Sequence, residues 1–171
     1  MTRCLALLFF AALWFAPLQT RAQAQNQGQN QAQAADDALA ALASPGFNTV
    51  REGIEALATS GHPRAQAIVA ALQAGKLFAG PGKVLFVKND DGTIAEATTG
   101  ATADVPASAL KPVRVNNAVR GAIDAALGVL RLFAPDPADR LAAAEAVFRS
   151  RDPVALPALE RAMAAETNPK V

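Results

Sequence analysis

The sequence predicts a mainly α-helical fold of repeated helical hairpins with one β-hairpin inserted among them, and three observations carry that expectation. The 171 residues are 51% apolar but only 5% aromatic, with no Tyr. Such a core is built from Ala, Leu, Val and Ile, and alanine loses no side-chain entropy in a helix. Apolar residues recur at helical spacing in segments punctuated by Gly, Pro, Asn and Asp. Finally, one phrase occurs twice: SGHPRAQAIVAAL from Ser60 to Leu72 and SRDPVALPALERAM from Ser150 to Met163, each Ser-x-x-Pro followed by an Ala-rich apolar pattern.

The chain opens with MTRCLALLFFAALWFAPLQTRAQAQ: a basic Arg3, an apolar run from Cys4 to Ala16, a breaker at Pro17, then small residues. The run falls short of the roughly 20 residues a spanning helix needs and fits a secretory signal peptide over residues 1–24. Cleavage can follow Ala22, with Thr20 at the −3 position, or Ala24, with Ala22 there; an uncleaved anchor is the alternative. Cys4 heads the run with no lipoprotein-like segment before it. Removal through Ala24 takes Arg3, Arg21 and the single cysteine, leaving 14 basic against 15 acidic residues. An exported, cysteine-free domain has neither disulfides nor thiol chemistry. The net charge of +1 on the whole chain gathers no nucleic acid.

Residues 25–35, rich in Gln and Asn, read as a flexible leader, and the folded domain is expected over 36–171, with DDALAALA as a first short helix. In FNTVREGIEALATSG, Val50, Ile54, Leu57 and Ala58 share a helical face, with Asn48 or Thr49 as the cap and Gly61 as the stop. HPRAQAIVAALQAG follows, with Pro63 in the first turn, Ala65, Ile68, Val69 and Leu72 inward and Gly75 at the end. The period then changes. Val84 to Val87 is a β-branched apolar run, and Asp91-Gly92 separates it from Thr93-Ile94, predicting a β-hairpin near 84–97. Two strands alone are marginal, so this hairpin must lie on the helices or pair with a segment such as Lys111 to Val115.

Helices then resume. Asn116 or Asn117 caps one carrying Val119, Ile123, Leu127 and Leu130. Asp136, Pro137 and Asp139 form a helix start, with Leu141, Ala144, Val147 and Phe148 expected inward. Asp152-Pro153 starts the last helix, with Leu156, Leu159 and Met163 expected inward and Pro157 either kinking it or marking its true beginning. The repeated phrases extend to whole units. Val50–Leu72 aligns with Arg140–Ala162 at a constant offset of 90 residues, matching Ile54 to Ala144, Leu57 to Val147, Ser60 to Ser150 and Pro63 to Pro153. Helix, short turn and Pro-initiated helix is the grammar of HEAT-like repeats, whose period of about 40–47 residues fits twice into that offset. Such units must stack to bury their apolar faces.

No catalytic, cofactor-binding or metal-ligating set is assigned, and the chain is expected not to be an enzyme. His62, the single histidine, sits in a turn before Pro63 and suits a capping or solvent-facing role. Asp90-Asp91 lacks the further oxygen ligands of a calcium loop and reads as a solvated turn. Gly80 to Lys83 (GPGK) lacks the spacing of a phosphate loop and precedes a strand. Lys111, Arg114 and Arg120 lie near one another in KPVRVNNAVR, either as a solvated flank or against an anionic headgroup or acidic partner.

The order of segments resembles the extracytoplasmic N-terminal region of the urea-type ABC transporter permease subunit, a relative of branched-chain amino acid permeases. The matching stretches are VRVNN at Val113 to Asn117, APDP at Ala134 to Pro137 and RLAAAEAVFRSRDPVALPALERA at Arg140 to Ala162. The resemblance covers most of Ala38 to Val171. It implies a place in urea uptake beside a periplasmic solute-binding protein, permease subunits and ATPases, at the periplasmic face of the inner membrane. The family's pore lies in membrane helices after this region, and nothing beyond the signal peptide here approaches spanning length. The chain is therefore expected to act as a docking or assembly surface rather than a pore, either as part of a permease or as the extension alone. A stand-alone periplasmic helical-repeat adaptor or structural protein is the alternative.

Overall fold

The structure is a computed structural model that describes residues 30, 32–151 and 153–171. The expected signal peptide, the leader up to residue 29 and the Asp152 cap lie outside these. Helix α1 spans 32–42. It begins before the expected Asp36, because Ala35 already joins Ala38, Leu39 and Leu42 on the buried side. Helix α2 (Phe47–Ser60) buries Val50, Ile54, Leu57 and Ala58. Its N-cap is Gly46, with no side-chain hydrogen bond, so neither Asn48 nor Thr49 caps it. Helix α3 (Ala65–Gln73) buries Ala65, Ile68, Val69 and Leu72. Pro63 stands in the turn before α3 rather than in its first turn. Gly75 closes α3 at φ 69°, where its N–H bonds the Leu72 carbonyl and the Lys76 N–H bonds that of Ala71.

The expected β-hairpin is part of a larger sheet. Strands β1 (Leu77–Ala79), β2 (Leu85–Lys88), β3 (Ile94–Glu96) and β4 (Lys111–Pro112) form an antiparallel sheet in the order β3-β2-β1-β4. The hairpin is β2–β3, with Val87 opposite Ala95 and Gly92 at φ 85° in its loop. The Lys111 segment does pair, but with β1, where Phe78 faces Pro112. Proline is tolerated there because β4 is an edge strand. Leu77, Leu85 and Ala97 carry the sheet into the core shared by α1 to α4. Arg64 fastens the far turn: its Nε donates to the Ala97 carbonyl at 2.9 Å.

Helix α4 (Asn117–Leu130) starts at Asn116, whose side chain accepts from the Val119 N–H at 2.9 Å, and passes into a 3₁₀ turn at Arg131–Phe133. Helix α5 (Pro137–Ser150) starts at Asp136, which accepts from the Ala138 N–H at 2.9 Å. After a 3₁₀ turn at Pro153–Ala155 comes helix α6 (Leu156–Ala165), which begins one residue before Pro157. A second small core forms here from Leu132, Ala143 and Ala158, flanked by Val129, Ala144, Val147 and Leu159.

The 90-residue offset is kept where α2 and α5 end. Helices α2 and α5 both have 14 residues and end at Ser60 and Ser150. Each is followed by a left-handed residue, Gly61 at φ 77° and Arg151 at φ 54°. Both serine hydroxyls donate to the carbonyl three residues back, Leu57 and Val147, at 2.8 Å. Buried positions also match: Gly53 with Ala143, Ala65 with Ala155, Ile68 with Ala158.

One ion pair ties the end of the chain to α5. Arg140 donates from Nε to Glu166 Oε2 at 2.7 Å and from Nη2 to Oε1 at 2.9 Å, while Nη1 reaches the carbonyls of Ala134 and Pro135. Hydrogen bonding from Arg140, then from the Asn168 and Thr167 N–H groups, pulls the Glu166 carboxyl from an ordinary 4.5 down to about 2. A lowered folded-state pKa adds stability above the unfolded value that is lost as pH falls through the folded one. Between pH 5 and pH 2, therefore, the denaturation midpoint is expected to fall, and Glu166→Gln should flatten that fall while lowering the midpoint at pH 7. Equal acid slopes for both proteins would refute this.

Candidate docking surface

Helices α5 and α6 bury only part of the faces expected of them: Ala144, Val147 and Leu159 pack on the small core, and the rest is exposed. Phe148 is 79% exposed, Met163 71%, Leu156 51% and Leu141 37%. The reason is the small size of what they pack on: the end of α4 and the turn at Arg131–Phe133 reach Ala143, Ala158 and the flanks of Val147 and Leu159, and no further. Each helix therefore carries an apolar stripe one heptad long, Leu141–Glu145–Phe148 on α5 and Leu156–Glu160–Met163 on α6, with an exposed carboxylate in the middle.

The first hairpin supplies an internal comparison. Where the second has Leu141, Leu156 and Met163, the first has Arg51, Gln66 and Gln73. Arg51 pairs with Glu55 at 2.6 Å, and both glutamines are exposed. Ala58, the match of Phe148, is buried. Three positions that carry polar side chains in one hairpin thus carry leucine or methionine in the other, and Phe148 stands exposed where the first hairpin buries an alanine. Single exposed apolar residues are ordinary, but apolar replacements that recur at solvated positions make this face a candidate interaction surface.

Arg161 lies where this hairpin meets the first. Its guanidinium lies 5.7 Å from the centre of the half-exposed Phe133 ring and against the Gly61 turn, at the negative end of the α2 dipole. Glycine serves at position 61 for its positive φ; the one atom near a Cβ there would be the movable tip of Arg161, Nη1 at 3.0 Å. Arg161 and Arg64 are positioning residues that the sequence did not reveal, since nothing local distinguishes them from solvated arginines.

The polar residues singled out in the sequence do not come together. His62 is half-buried in its turn, where Nδ1 accepts from the Arg64 N–H at 3.1 Å. Asp91 accepts from the Thr93 N–H at 2.9 Å and the Thr93 hydroxyl at 2.7 Å, which lowers its pKa. Asp90 pairs with Lys76 at 2.6 Å. Gly80 to Lys83 forms the reversal between β1 and β2. Lys111 and Arg114 share the rim of a cavity, whereas Arg120 is exposed on α4 and does not line it. Among the described residues, no helix is long and apolar enough to cross a membrane. Comparison with known proteins finds no matching family model, no matching curated protein and no matching solved structure.

Proposed function

We propose that this chain is an exported HEAT-like module of a urea-type ABC transporter permease, at the periplasmic face of the inner membrane, where it serves as a docking and assembly surface. The observation that carries the docking role is the set of exposed apolar side chains on α5 and α6, three of them at positions where the first hairpin is polar. The HEAT-like reading is supported by the 90-residue register of helix ends, left-handed stops and serine hydrogen bonds. The transporter reading is supported by the resemblance of Val113 to Val171 and by the apolar N-terminal run. In this reading the module binds protein and leaves the chemistry of transport to its neighbours.

The test is co-purification of the full chain with the permease subunits and solute-binding protein of a urea-type system. Capture is expected, and Phe148→Asp with Met163→Asp should weaken it about tenfold or more, because apolar anchors carry most of an interface's energy. Both side chains are largely exposed, so thermal stability should be almost unchanged. Failure to capture any transporter component, or capture indifferent to the double substitution, would overturn the proposal and favour a stand-alone adaptor.

A further inference from the structure

On the opposite side of the chemistry from the apolar stripes lies a cavity of about 450 Å³ between the α1–α2 connection and the sheet edge. Its apolar wall includes Ala79, Ala109 and Val113, and its polar lining is Ser44 with three cations, Lys83, Lys111 and Arg114. No carboxylate lines it, and among the described residues none of the three cations forms an ion pair. Three unneutralised cations around one concavity repel one another, an arrangement that an anion relieves.

The backbone converges on the same place. Lys83 holds φ 63°, a left-handed conformation that a non-glycine side chain adopts only at a cost, directly after Gly82 at φ 69°. The reversal that contains them puts the lysine on the cavity lining. Gly80 has no room for a side chain: a Cβ there would stand 2.5 Å from the Phe86 ring and 3.2 Å from Leu110 Cδ2, so the wall closes tightly behind the reversal. Arg114 lies over the Phe47 ring at 5.1 Å, a contact that favours its guanidinium at this rim. Helix α2, which starts two residues after the lining Pro45, has no side-chain cap, so its positive end adds to the same field.

We infer that this cavity binds a small amphiphile bearing a phosphate group, with the phosphate held among Lys83, Lys111 and Arg114 and the apolar part against Ala79, Ala109 and Val113. A volume of this size suits a headgroup or short ester, and an arginine fork with two lysines matches a phosphate's charge and acceptors. A membrane lipid headgroup and a soluble phosphate ester share that chemistry.

The probes are hexyl phosphate, with hexanol as its uncharged control, and vesicles of phosphatidylglycerol or phosphatidylcholine, all with the full chain. Hexyl phosphate should shift the backbone amide resonances of Lys83, Lys111, Val113 and Arg114, and hexanol should not. Lys111→Gln with Arg114→Gln should weaken binding about tenfold or more, Arg114→Lys less, and Lys170→Gln, at an exposed position away from the cavity, not at all. Phosphatidylglycerol binding that these cavity substitutions release assigns the source to lipid. Hexyl phosphate binding with equal retention by both vesicles assigns it to a soluble ester. No shift at the cavity amides at millimolar hexyl phosphate, or equal weakening by Lys170→Gln, would overturn the inference.

Discussion

Leu57→Ala is expected to lower folding stability by about 2–5 kcal/mol, the range for deleting a fully buried leucine side chain when its surroundings cannot collapse. Leu57 is fully buried in α2, within the core that α1 to α4 and the sheet share. Its match 90 residues on, Val147, is only partly buried and touches the smaller core at Leu132, Ala143 and Ala158. Val147→Ala removes less volume from a site that water already reaches, and should cost about 1 kcal/mol or less. The two substitutions occupy equivalent positions of equivalent helices, so their difference measures how much more tightly the first hairpin is packed. Chemical denaturation of both variants is the check. Equal losses would mean that the second hairpin is as well buried as the first, and the docking surface drawn above would not exist.

That asymmetry also explains what could be read in advance. The Asn116 and Asp136 caps and the Gly61 and Gly75 stops follow from local rules and appear where chain-local chemistry puts them, whereas the expected Asn48 or Thr49 cap of α2 does not. The inward face of α5 does not. Leu141 and Phe148 have the spacing of a core stripe, but spacing says only which residues share a face, and whether that face is covered depends on how far α4 and its 3₁₀ turn extend. Strand β1 was missed for another reason: three residues are too few to display a two-residue alternation, and Leu77–Ala79 becomes a strand only through partners at Val87 and Pro112. The cationic cavity is intermediate. Lys111 and Arg114 drew notice together, but Lys83 joins them only because β1 and β4 pair.

Gly53→Val should cost about 1–3 kcal/mol and free α1 from α2. A Cβ at Gly53 would stand 2.9 Å from the Ala38 carbonyl oxygen, 2.9 Å from Ala41 Cβ and 3.2 Å from the Leu42 N–H nitrogen. These are mainly backbone atoms, which cannot rotate away as a side-chain tip can, so α1 itself must move. At the matching position the second hairpin accepts alanine, because Ala143 packs on the Leu132 side of a short turn instead of a helix backbone. In a stack of hairpins, each apolar side needs a neighbour, and a terminal element stays soluble by turning a polar side outward. Helix α1 fits that part: Leu39 and Leu42 face in, while Gln33, Asp36 and Asp37 are exposed. Among the described residues, α5 and α6 have no such cover. Loosening α1 should therefore expose a second apolar end on α2, and sedimentation should show concentration-dependent association in Gly53→Val that the unaltered chain lacks. Hydrogen exchange gives the sharper reading, since α1 amides should lose protection by a larger factor than those of α4. If both helices lose it equally, α1 is an integral part of one cooperative unit and not a separate cap.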